Sequence, residues 1–175
     1  MRLICGDITK TRADAIVNAA SSDLKPHPGI CEAIFNAAHT EALQKACQAL
    51  GYCPIGRAVV TKSYGLPCKY IIHVAGIGWF GGRLNERMLF ADCYFNALRK
   101  AAVYRCRSVA VPLMFSGDFH VPRHEALRIA CGEIRRFEEI YPEIDVMLVL
   151  YTTSIYEMAR IVLAEEHRKI GYTTM

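Results

Sequence analysis

The sequence has no apolar run long enough to cross a bilayer. Its first residues, MRLICGDIT, lack the extended apolar segment and cleavage site of a secretory leader and read instead as a strand. Neither a membrane protein nor an exported one is expected, and the chain reads as cytoplasmic. No basic run stands out, and the formal net charge is only +4. That balance permits an anionic ligand without calling for nucleic acid. None of the eight cysteines forms a CxxC pair, so most read as reduced thiols buried as small hydrophobes. A disulfide framework is not expected. Repeats, low-complexity segments and an interdomain linker are also missing, which leaves one domain over residues 1–175, expected to be a monomer without a cofactor.

What is present suits a globular core: 53% apolar and 22% charged residues in a chain of 175. Strands are expected at Arg2–Cys5, Asp14–Ala19, Ala58–Thr61, Tyr70–Ala75, Ser108–Leu113 and Asp145–Tyr151. Helices are expected at Gly29–Ala38, Thr40–Leu50 and Asn85–Tyr104, then from Pro122 as a first-turn proline, then after a capping box at Ser154–Glu157. Leu127, Ala130, Ile134 and Phe137 recur at helical spacing and mark a core face. The strands are apolar throughout rather than alternating, which means a mostly parallel sheet covered on both faces.

Ligands of such sheets sit at the carboxyl ends of strands. Two loops qualify: Ser21–Gly29 after the second strand and Met114–Val121 after the fifth. The first runs from a buried strand into a helix start, where free N–H groups and the helix dipole favour an anion.

Several blocks in order carry a resemblance: GDIT (6–9), ADAIVNAA (13–20), GYCPIGRAVVT (51–61), KYIIHVAG (69–76) and SVAVPLMFSGDF (108–119), with Gly81, Gly82, Asn85 and Glu86 between the last two. Together they resemble the macro domain family over nearly the whole chain. The resemblance implies a three-layer α/β/α sandwich with a mixed six-stranded sheet and a cleft for ADP-ribose, free or attached to a macromolecule. It implies that Asp7, with Ile8 beside it, meets the adenine, and that Asn18 matches the first asparagine of the family's NAAN motif. Gly29, Ile30 and Cys31 match one phosphate loop. Ser116, Gly117, Asp118 and Phe119 match the other, with Phe119 against the distal ribose.

The chain also departs from the family pattern. Ser21 stands where the second asparagine is usual, Cys31 where an aspartate is usual, and Pro26-His27-Pro28-Gly29 where a glycine run is usual. In hydrolytic members the missing groups orient the ribose and the attacking water. Binding is therefore the expected function, and hydrolysis of an ADP-ribose linkage or of O-acetyl-ADP-ribose the alternative. If there is catalysis, Ser21, Cys31 and Asp118 are its candidates, with His120 as a further base. Cys31 and His27 could form a thiol–base pair or half of a zinc site, but zinc needs more ligands, and no metal is expected. Other residues have plainer readings. Asp7 also suits a cap, Asn18 a structural amide, His73 a core histidine, and Trp79 and Phe80 anchors of the Gly76–Asn85 loop.

Overall fold

A computed structural model describes residues 1–117 and 119–171, with side chains as far as residue 165. Asp118 therefore lies outside the described residues. The strands are β1 (Arg2–Cys5), β2 (Ala15–Ala20), β3 (Ala58–Lys62), β4 (Tyr70–Ala75), β5 (Ser108–Pro112) and β6 (Asp145–Leu150). The α-helices are α1 (Ile30–Ala37), α2 (Thr40–Leu50), α3 (Glu86–Val103), α4 (Arg123–Ile140) and α5 (Thr153–Gly171). Among the described residues no helix is long and apolar enough to cross a membrane.

The strands form one sheet in the order β1-β6-β5-β2-β4-β3. All neighbours are parallel except β3, which runs antiparallel to β4. Every residue of β2 is buried, because strands flank it on both sides and helices cover both faces. Alternate residues feed two cores. Val17 and Ala19 pack with Phe90, Leu127, Phe137 and Ala159 of α3, α4 and α5. Ile16 and Ala20 pack with Ile34, Phe35, Leu43 and Cys47 of α1 and α2. This is the three-layer arrangement the sequence pattern implies. The second layer has only two helices for six strands, and a cavity remains beside α1 at the ends of β5 and β6.

Some element ends differ from the expected ones. β2 begins one residue later, because Asp14 works as a bracket: its carboxylate accepts the Arg107 N–H at 2.7 Å and pairs with Lys69 Nζ at 2.8 Å. Pro122 is not in the first turn of α4 but precedes it as the cap residue, with an extended ψ of 129°. The expected capping box at Ser154 does not form. Thr152 Oγ1 caps α5 instead, accepting the Ile155 N–H at 3.3 Å, and Ser154 falls inside the helix.

Candidate functional site

The first loop ends at Gly29, which adopts φ 89° immediately before α1. Such a left-handed angle favours glycine. Bonds from Glu32 N–H to His27 O and from Ala33 N–H to Gly29 O close the turn. Among the described residues the N–H groups of Gly29, Ile30 and Cys31 donate to no protein acceptor. They are the donors that every helix start leaves over.

The second loop is built on an aromatic stack. The Phe115 ring lies 4.7 Å from Phe90 and 5.2 Å from Phe119, centre to centre. It occupies the space left by Gly76, where an added Cβ would come within 2.2 Å of the ring. Phe115 itself has φ 68°, and its carbonyl accepts the Val121 N–H at 3.0 Å. The N–H groups of Phe115, Ser116 and Gly117 donate to no acceptor among the described residues.

The two loops face one cavity of about 480 Å3. That size falls in the range of small-molecule sites. Gly29, Ile30, Ser116, Gly117 and Phe119 line it, and Asp7 and Ile8 line it as well. Asp7 also fills its plainer role. Its Oδ1 accepts both the Thr9 N–H at 2.9 Å and the Thr9 hydroxyl at 2.7 Å, capping a short 3-10 turn. Among the described residues its Oδ2 has only Lys10 Nζ at 3.9 Å, so that oxygen retains acceptor capacity.

Four of the sequence candidates among the described residues, Asn18, Ser21, Cys31 and His120, are not in the cavity lining. Asn18 and Cys31 are both fully buried behind it. The Asn18 amide nitrogen reaches His73 Nδ1 at 3.1 Å and Cys31 Sγ at 3.5 Å, while its oxygen has no partner among the described residues. His73 Nε2 in turn meets the Thr61 hydroxyl at 2.9 Å. Burial pushes the His73 pKa down to about 4, so the ring is neutral. Asn18 thus ties β2 to β4 and to the first turn of α1. Ser21 donates to Asp23 Oδ1 at 2.7 Å, within its own loop. The Ser21 side chain is turned along its own loop and Cys31 lies beneath the cavity wall.

Several lining residues were not anticipated. Tyr151 and Ile155 line the cavity as Asp7 does, and Tyr151 is 78% exposed. The carboxyl-end rule that selected the other loops applies equally to the end of β6 and would have found Tyr151. His27 also lines the cavity, and its ring meets Phe119 edge-on at 5.8 Å, linking the loops. Its ring nitrogens lie 3.1 Å from Ala19 O and 3.1 Å from Pro28 O. The Cys31 thiol beside it, outweighing burial and helped by those carbonyls, raises its pKa to about 9. Both ring nitrogens face carbonyl oxygens, an arrangement that favours the protonated ring.

Trp79 and Phe80 behave as anchors. The Trp79 N–H donates to Phe119 O at 2.8 Å, and the Phe80 N–H donates to Glu86 Oε1 at 2.8 Å. Glu86 is buried at the start of α3 and also accepts from Gly82 and Leu84, which holds the glycine-rich loop in place.

A parallel-rich sheet with one cavity between two loops of unpartnered N–H groups defines an α/β/α domain for an anionic, nucleotide-sized ligand. Comparison with known proteins makes the class specific. The Macro domain family model matches residues 17–130, and the chain belongs to that family. A macro domain-containing protein of Mesorhizobium japonicum is 44% identical over 134 residues, covering 77% of this chain and 76% of that protein. A Citrobacter koseri protein named O-acetyl-ADP-ribose deacetylase is 40% identical over 160 residues, covering 87% and 90%. Among solved structures, the Oceanobacillus iheyensis macrodomain with ADP superposes with a TM-score of 0.90 at 33% identity, covering 95% of this chain and 91% of that one. The Trypanosoma brucei macrodomain in complex with ADP-ribose gives 0.82 at 27% identity, covering 92% and 68%.

Proposed function

We propose that the protein binds ADP-ribose, free or carried on a modified macromolecule, in the cavity between the two loops. The observation that carries this reading is the set of unpartnered N–H groups at Gly29, Ile30, Ser116 and Gly117 around one nucleotide-sized space. Main-chain donors of this kind hold a diphosphate without a metal or a lysine. In this reading Asp7 and Ile8 meet the adenine, with Tyr151 beside it, and Phe119 packs on the distal ribose. Asn18 and Cys31 act from behind the wall by fixing the first turn of α1. Asp118 keeps its assignment to the second loop on sequence alone. The usage of reduced, buried thiols supports a cytoplasmic protein, and we take it to act as a monomer.

The Citrobacter koseri relative favours a second reading, hydrolysis of an ADP-ribose ester or linkage. Ser21, Cys31 and His120 do not line the cavity, so water would have to be placed by the ligand's own phosphate with Asp118. Calorimetric titration with ADP-ribose tests the first reading. Incubation with O-acetyl-ADP-ribose and with a mono-ADP-ribosylated protein tests the second. Saturable heat without product supports binding alone, product supports the enzyme, and no heat at millimolar ligand contradicts both.

A further inference from the structure

A second concavity of about 270 Å3 lies on the outer edge of the sheet, between the start of β3 and the C-terminal half of α3. Arg57, Arg99 and Lys100 line it together with Asn96, Ala58 and Val103, and no carboxylate does. Among the described residues none of the three cations forms an ion pair. The arrangement is held from within. The Asn96 amide donates to Gly56 O at 2.7 Å, which fixes α3 against the residue before Arg57. Asp92, also on α3, sits by Gly56 outside the lining.

We infer that this groove is a second anion site, one that takes a phosphate or diphosphate group. Two guanidinium groups offer planar paired donors that match phosphate oxygens, and the ammonium adds a compact charge. Three like charges lining one groove without a counter-ion among the described residues repel one another, and a bound anion relieves that repulsion. Cations on an edge strand also discourage strand pairing. That role could extend to Arg57, immediately before β3, but not to Arg99 and Lys100, which project from a helix. The volume is below that of most drug-sized pockets, so the groove suits the anionic group rather than a whole nucleotide. It shares no lining residue with the cavity beside α1.

The test is calorimetry with inorganic pyrophosphate on the wild-type chain and on an Arg57→Gln/Arg99→Gln variant, both saturated with ADP-ribose. Both arginines are exposed, so the variant is expected to fold, and its thermal melt checks this. The expected result is saturable pyrophosphate binding that weakens by about tenfold or more in the variant. ADP-ribose affinity should stay the same in both. Equal pyrophosphate titrations of the two proteins overturn the inference, as does binding of a single-stranded oligonucleotide with none of pyrophosphate. Inorganic phosphate and a nucleoside monophosphate as further titrants separate a site for the bare anion from one for a phosphorylated metabolite. If ADP-ribose itself does not bind, the proposed function fails. The pyrophosphate comparison then runs without it and still decides on the groove.

Discussion

Asn18 and His73 show how a residue that resembles a ligand contact is also bound into the core. His73 must be neutral to stay buried between Asn18 and Thr61. Its folded pKa of about 4 lies below the ordinary 6.5, so the unfolded chain takes up the proton first. Stability is complete above pH 6.5 and falls as pH drops towards 4, by up to about 1.4 kcal/mol per pH unit from this group. Urea unfolding across that range should show the slope, and His73→Gln should flatten it. Cys31→Ala should lower stability by about 1 kcal/mol and weaken ADP-ribose binding only a few-fold, because the thiol supports the first turn of α1 from behind the wall without touching the ligand. Asp7→Ala should weaken binding by about tenfold through loss of a charged acceptor, as read by calorimetry. The sequence disclosed the types of these residues. It did not disclose that Asn18 points at an imidazole and a thiol, since that depends on the pairing of Asn18 with His73 across two strands.

Elements were more legible than side chains. α2 and β4 match the sequence reading residue for residue, because an amphipathic repeat ending in Gly51 and a continuous apolar run are both strong local signals. The start of α5 differs because Thr152 and Ser154 compete for one cap, and that of α4 because the fixed φ of Pro122 suits the cap position as well as the first turn. The second loop's support was not legible at all. Nothing local to Gly76 announces that Phe115 lies 2.2 Å from where its Cβ would be. Phe90 and Phe119 hold that ring on two sides, so Gly76→Ala should cost about 1–3 kcal/mol and displace the loop. A lowered melting temperature together with weakened ADP-ribose binding would show this. Glu86 makes the corresponding statement for the glycine-rich loop. Burial raises its pKa, but N–H donors from its own backbone, Leu84, Phe80 and Gly82 outweigh that and hold it below the usual carboxylate value. The carboxylate's contribution is thus present at neutral pH and lost in acid. Glu86→Gln should speed hydrogen exchange at Phe80, Gly82 and Leu84 by about tenfold at neutral pH.

At the scale of the molecule, architecture and site follow from one imbalance. Six strands have three helices on one face and two on the other, and the uncovered ends of the strands open the cavity. The alternation of apolar strands with helices made the layers readable, and the strand-end rule made the loops readable. The antiparallel β3 rested on the family resemblance, since its composition is that of its neighbours. The central claim is that main-chain N–H groups of the two loops hold a diphosphate. An amide nitrogen–proton correlation spectrum recorded during titration with ADP-ribose tests it most directly. The Gly29, Ile30, Ser116 and Gly117 signals should move together and saturate at one ligand per chain. ADP-ribose binding that leaves these four amides in place, or no binding at all, would contradict it.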